Sequence, residues 1–212
     1  MTTPQSSTKN RKIVLDERPK GDPDDKTLRL ETGVLAIPSE GEMLLSNEYL
    51  SIDPYMRGRM SDALSYAAPV KIGAVMVGGI VAEVVSSDVD GFETGDWVGA
   101  FGVWQDYALS DAAGVINMGK TPENSSWALG VLGMPGRTAR TGLTQIGEPK
   151  AGETLAVAGA SGPVGATVGQ IGKILGLRVV GIAAGRPGPD EPFAAHDPAQ
   201  ADHHLRRHLP AF

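Results

Sequence analysis

The stretch TLAVAGASGPVGATVGQIGKILGLRVVGIA, Thr154–Ala183, changes its periodicity three times in succession. Thr154 to Ala158 is a short apolar run of strand length, and Gly159 to Gly165 is a glycine-rich turn. From Pro163 to Leu175 apolar residues recur at helical spacing, Val164, Val168, Ile171 and Leu175 standing at i, i+4, i+7 and i+11, a stripe suited to covering a sheet. Arg178 to Ala183 then returns to a β-rich run. Strand, tight turn, helix and strand in this order make a βαβ unit, so a parallel sheet begins here. The helix also carries Gly165, Gly169, Gly172 and Gly176 at helical spacing. Each costs roughly 1 kcal/mol relative to alanine, which predicts close backbone packing.

The turn itself has the form of a dinucleotide fingerprint, with Ala160 in the first position and Gly162 and Gly165 in the second and third. Backbone without Cβ lets a pyrophosphate approach, and the helix start offers free N–H groups and the positive end of the helix dipole. Gly159, Ala160, Ser161, Gly162, Val164 and Gly165 are therefore candidate cofactor-binding residues. The alternative is a structural βα turn without a ligand. An Asp or Glu at the end of the second strand would hold a ribose 2′-hydroxyl. None lies between Val179 and Pro189, where Arg186 stands instead, which favours NADP(H) and makes Arg186 a further candidate.

Upstream, Met43 to Leu50, Gly78 to Val85 and Trp97 to Phe101 are short β-rich runs separated by turn chemistry at Pro38 to Gly41, Asp90-Gly91 and Gly95-Asp96. They predict a partly open antiparallel barrel. Between Thr121 and Gly147 the texture becomes helical, with Thr121-Pro122-Glu123 as a start signal, short helices at Ser126 to Leu132 and Thr138 to Ile146, and Gly147 as the stop. The expected organisation is a polar mobile arm at 1–10, the barrel domain at 11–120, bridging helices and a first βαβ unit at 121–185, and a tail at 186–212. The fold class is α/β with a β-barrel.

The net charge of −6 argues against nucleic acid or an anionic membrane as partner. With no cysteine there is no disulfide, thiolate nucleophile or cysteine-ligated zinc. The polar N-terminus lacks a secretory apolar region and no run is long enough to span a bilayer, so the expected location is the cytoplasm. After Gly185 the chain carries five prolines and all four histidines without a periodic apolar face, the pattern expected of out-of-frame or mis-joined sequence. His204 and His208 have the spacing of a helical zinc pair, but no acidic partner motif accompanies them, so no metal site is assigned. No histidine precedes residue 196 to serve a hydrolase serine as base.

Three more stretches join the glycine turn: LSIDPYMRGRM at Leu50 to Met60, FETGDWVGAFGVWQDYAL at Phe92 to Leu109 and GMPGRTARTGL at Gly133 to Leu143. Together, from about Arg11 to Gly185, the chain resembles the zinc-free enone and alkenal double-bond reductases of the medium-chain dehydrogenase/reductase superfamily, the prostaglandin-reductase and curcumin-reductase group. The resemblance implies a GroES-like barrel followed by a Rossmann domain, here incomplete and C-terminally truncated, so that this chain is expected to be an impaired form of the reductase. It also implies NADPH-dependent reduction of the carbon–carbon double bond of an α,β-unsaturated ketone or aldehyde, and a homodimer in the full-length form. It implies that Met134, Pro135 and Thr138 lie near the nicotinamide, and that Tyr55 faces substrate as a donor to the carbonyl or enolate oxygen. Left to the residues alone, Asp53-Pro54-Tyr55 also reads as a turn, with Tyr55 packing and Arg57 a surface charge. Arg137 and Arg140 depart from the family pattern, either facing solvent or altering the pocket. Two other functions stay open: a non-catalytic fragment or interaction module built on the barrel, and a quinone oxidoreductase of the same superfamily.

Overall fold

The structure, a computed structural model, describes residues 9–183. The chain divides after Leu129 into two compact units. The first contains strands β1 (Lys9–Leu15), β2 (Leu28–Val34), β3 (Met43–Leu50), β4 (Val77–Ser87), β5 (Trp97–Val103), β6 (Tyr107–Ser110) and β7 (Ile116–Gly119), the short helix α1 (Tyr55–Arg59) and a 3-10 turn at Ser125–Leu129. β3 to β7 form a five-stranded sheet in the order β6-β3-β4-β5-β7, and β1 and β2 form a hairpin. Every pairing is antiparallel.

β4 is the central strand, and its sequence explains why. Ile80, Ala82 and Val84 bury one face against Met43, Leu45 and Val98, while Val81 on the other face is also fully buried. A run buried on both sides reads as continuous apolar sequence rather than as alternation. Close packing further requires glycine at Gly78, where a Cβ would stand 2.5 Å from Met56 Cε and 2.9 Å from Trp104 Nε1. β1 partly closes the sheet: Ile13 N–H donates to Trp104 O (2.9 Å), Met76 N–H to Ile13 O (2.9 Å) and Leu15 N–H to Ala74 O (3.0 Å). This is the partly open antiparallel barrel expected from the turn spacing.

The expected arm at 1–10 needs correction where it can be seen, since β1 already starts at Lys9. Asn10 is buried, and its side-chain amide donates to Tyr107 O (2.9 Å) and accepts from Tyr107 N–H (3.0 Å). An amide that pairs like a backbone unit fixes a polar segment that composition marks as mobile. Residues 1–8, like Arg186, the histidines and the rest of the tail, lie outside the described residues.

The second unit holds helix α2 (Met134–Thr141), a π-helical turn (Gly142–Gly147), strand β8 (Thr154–Ala158), helix α3 (Pro163–Ile174) and strand β9 (Arg178–Ile182). β8 and β9 pair in parallel, Thr154 opposite Arg178 through Ala158 opposite Ile182. The helix expected at Thr138 to Ile146 starts four residues earlier, because Pro135 is a good first-turn residue. It then loosens into the π turn and ends at Glu148, which adopts φ +42°. The helix expected at Ser126 to Leu132 is the 3-10 turn of the first unit, packed on β4 and β5.

The face by which α3 meets its strands also differs from expectation. Val164, Val168 and Ile171 are only half-buried and Leu175 is 39% exposed, whereas Gly165, Thr167 and Gly172 are buried. A Cβ on Gly172 would stand 2.8 Å from Leu155 Cδ2 and 3.1 Å from Val179 Cγ2, and one on Gly169 3.7 Å from Val179 Cγ1. The glycine edge therefore lies against β8 and β9, bringing helix and sheet closer than a valine stripe permits, as the cost of those glycines anticipated. α3 also packs against α2. Among the described residues no helix is long and apolar enough to cross a membrane.

Candidate functional site

The glycine turn sits between β8 and α3 in the second unit. Gly159 adopts φ +63°, a left-handed conformation that glycine takes without steric cost, and nothing lies within 4 Å of where its Cβ would be. The tight-turn role thus falls one residue before Ala160, whose N–H donates to Ile182 O at the end of β9 (3.0 Å). Gly162 N–H donates to Gly159 O (3.0 Å), closing the turn. Gly165 is glycine for packing: a Cβ there would stand 2.3 Å from Gly159 O and 2.9 Å from Ala160 Cα.

Gly162 is the N-cap of α3 in extended backbone (φ −77°, ψ 163°) and supplies no side-chain acceptor. Pro163 follows it, and Val164 and Gly165 complete the first turn, which contains no acidic residue. Ser161 is exposed beside them. N–H groups at a helix start without a side-chain cap, together with the positive end of the helix dipole, are donors of the kind an anion accepts from.

At the start of α2, Pro135, Gly136 and Ala139 are buried, while Met134 is 44% exposed and Thr138 is exposed. Gly136 is a residue the sequence did not single out. A Cβ on it would stand 1.7 Å from Val131 O, and its N–H donates to Gly130 O (3.1 Å). Arg137 and Arg140 are exposed.

Tyr55 lies in the first unit as the opening residue of α1, so Asp53-Pro54-Tyr55 leads into a helix rather than forming a free turn. It is half-buried and packs against a cluster of Leu15, Met56, Met60, Val70, Met76 and Trp104. Burial raises the Tyr55 phenol pKa, with the nearby Asp53 carboxylate adding to the rise. The group therefore stays protonated and able to donate through the neutral range. Arg57 is no free surface charge: its Nε donates to Gly21 O (2.8 Å) and its terminal nitrogen to Pro19 O (3.0 Å).

Residues 11–118 match the family described as the N-terminal domain of oxidoreductase. The chain belongs to this oxidoreductase family. Its sequence is 56% identical over 181 residues to NADPH-dependent curcumin reductase of Escherichia coli, covering 85% of this chain and 52% of that protein. It is 41% identical over 178 residues to prostaglandin reductase 1 of Rattus norvegicus, covering 82% and 51%. The crystal structure of CurA from Vibrio vulnificus in complex with NADPH superposes with TM-score 0.79 at 55% identity, covering 83% of this chain and 52% of that one. The chain thus spans about half the length of the curated relatives it matches. Within this zinc-free medium-chain dehydrogenase/reductase group, the barrel is the GroES-like domain, and the βαβ unit begins a Rossmann-type parallel sheet.

Proposed function

We propose that the chain carries the substrate-side barrel and the pyrophosphate-binding βαβ unit of an NADPH-dependent reductase acting on the carbon–carbon double bond of α,β-unsaturated ketones and aldehydes. The observation that carries the proposal is the Gly159–Gly165 turn. It combines a left-handed glycine, a glycine N-cap and a glycine where the first turn of the helix packs on the backbone of the turn, the kinds of place where a pyrophosphate site uses glycine. The similarity to a curcumin reductase and a prostaglandin reductase supports the substrate class.

Gly159, Ala160, Ser161, Gly162, Val164 and Gly165 would hold the pyrophosphate, the N–H groups of Val164 and Gly165 in the first turn of α3 donating to its oxygens while those of Ala160 and Gly162 close the turn. Met134, Pro135 and Thr138 would meet the nicotinamide end, and Arg186 the 2′-phosphate. When bound, NADPH would supply the hydride that the substrate's β-carbon takes up. The phenol of Tyr55 donates a hydrogen bond to the substrate oxygen, stabilising the negative charge that develops there as the enolate forms. A proton from solvent water would then be taken up at the α-carbon, completing the reduction. We take the location to be the cytoplasm, and the family resemblance supports a homodimer in the full-length form.

The test is incubation of the 212-residue chain with NADPH and a simple enone, with the product identified by mass spectrometry. The saturated ketone, formed with one NADPH oxidised per molecule, is the expected product. An allylic alcohol, or a quinone reduced in preference to the enone, would overturn the substrate assignment.

A further inference from the structure

A helix of five residues has no stability of its own, so the orientation of α1 is set by what holds it. On its inner side Met56 is 2% exposed and reaches over Gly78 toward Trp104, which fixes the depth of the helix. Nothing in that apolar contact fixes its rotation, and a rotation would swing the half-buried Tyr55 beside it.

Two arginines supply that restraint from opposite directions. Arg57, within α1, donates from Nε to Gly21 O (2.8 Å) and from its terminal nitrogen to Pro19 O (3.0 Å). Arg18, in the same outer segment, donates back to Met60 O at the C-cap of α1 (2.9 Å) and to Val70 O (3.2 Å). The Asp62 carboxylate lies 3.9 Å from Arg18 Nε. Arg59 O meanwhile accepts from Val70 N–H (2.8 Å), tying α1 to residue 70. Gly21, at φ +102°, bends the chain beside the carbonyls that Arg57 reads. Each guanidinium spreads two donors over two carbonyls, a planar fork that lysine cannot reproduce.

We propose that Arg57 and Arg18 form a reciprocal brace between segment 18–21 and α1 whose role is to set the direction of the Tyr55 phenol, making Arg57 a positioning residue. Its consequence for turnover rests on the proposed reductase reading; the brace itself does not.

The chain has four tyrosines. With fluorotyrosine incorporated throughout, fluorine NMR assigns the Tyr55 line by its loss in Tyr55→Phe. In Arg57→Lys, at a thermal midpoint within a few degrees of wild type, the expected result is a shift of that line toward the position of an exposed tyrosine, with the other three unmoved. An unchanged Tyr55 line would overturn the brace. Should Arg57→Lys fold poorly, Arg18→Lys cuts the same brace from the other side and is read in the same way. In turnover, Arg57→Lys is expected to lower kcat roughly tenfold with little change in KM, and to have no further effect in a Tyr55→Phe background. Multiplying effects in the double variant would show that Arg57 acts independently of Tyr55 and would contradict its positioning role. Wild-type kcat in Tyr55→Phe alongside a moved NMR line would overturn the substrate role of Tyr55 and leave the brace standing.

Discussion

At the scale of single residues, Tyr55 and Asp96 show how surroundings set what a group can do. The packing that raises the Tyr55 pKa keeps its proton in place, so the phenol can act as a donor and not as a base at neutral pH. Tyr55→Phe is expected to lower kcat on an enone by roughly 10- to 100-fold while NADPH affinity stays within about twofold, because only a bond formed to the developing charge is lost. An equal loss in NADPH binding would assign Tyr55 a different role. Asp96 is a structural counterpart. Its carboxylate accepts from Glu93 N–H (2.9 Å) and from the Asn117 amide (2.9 Å), with Lys120 Nζ at 3.3 Å. These contacts hold its pKa below the usual carboxylate range, the Glu93 N–H contributing most. A depressed folded-state pKa adds stability that is fully present above the unfolded-state pKa of about 4 and is lost as pH falls through the folded value. Urea unfolding should therefore show wild type more stable than Asp96→Asn by a constant margin from about pH 5 to 7, shrinking below about pH 4. A margin independent of pH would exclude this linkage.

At the scale of elements, α3 shows what sequence periodicity reveals and what it hides. The position and type of β8, α3 and β9 were legible because each keeps a single period bounded by glycine or proline. The buried face was misread along Val164, Val168, Ile171 and Leu175, since hydropathy cannot see that the closest approach is made by residues without side chains. The glycine edge yields a ranking. At Gly165 the obstacle is backbone, so Gly165→Ala should cost at least ~2 kcal/mol even after its gain in helix propensity. At Gly172 the obstacles are the ends of Leu155 and Val179, which can shift, so Gly172→Ala should cost less than ~1 kcal/mol. Thermal or urea unfolding of the two variants checks the order, and equal costs would contradict the backbone contact. α1 was obscured for a related reason: it is shorter than a helical periodicity can register, and the bonds that hold it come from residues 36 to 42 positions away.

At the scale of the molecule, the antiparallel unit and the parallel unit were each legible in the sequence. Short strands between glycine turns mark the first, and the strand–glycine–helix–strand series marks the second. The start of β1 at Lys9 was not legible, because the Asn10 amide pairing with Tyr107 spans 97 positions. Candidate site residues could be named from the sequence, while the contacts of Gly136 and of the arginine brace are ones that only the fold creates. The central claim, that the turn ending at the N-cap of α3 holds the NADPH pyrophosphate, has a direct test in Gly162→Asp. Gly162 occupies extended backbone open to any residue, and a Cβ there would meet Gly159 O at 3.3 Å, so a small adjustment accommodates it. Aspartate is also a favoured N-cap, so the variant should melt no lower than wild type. Its carboxylate would compete for the N–H groups that the pyrophosphate needs and would repel it. Fluorescence titration of the 212-residue chain with NADPH should therefore show affinity weakened about 100-fold, ~2.7 kcal/mol, in a fully folded variant. Unchanged NADPH affinity in Gly162→Asp would contradict the account.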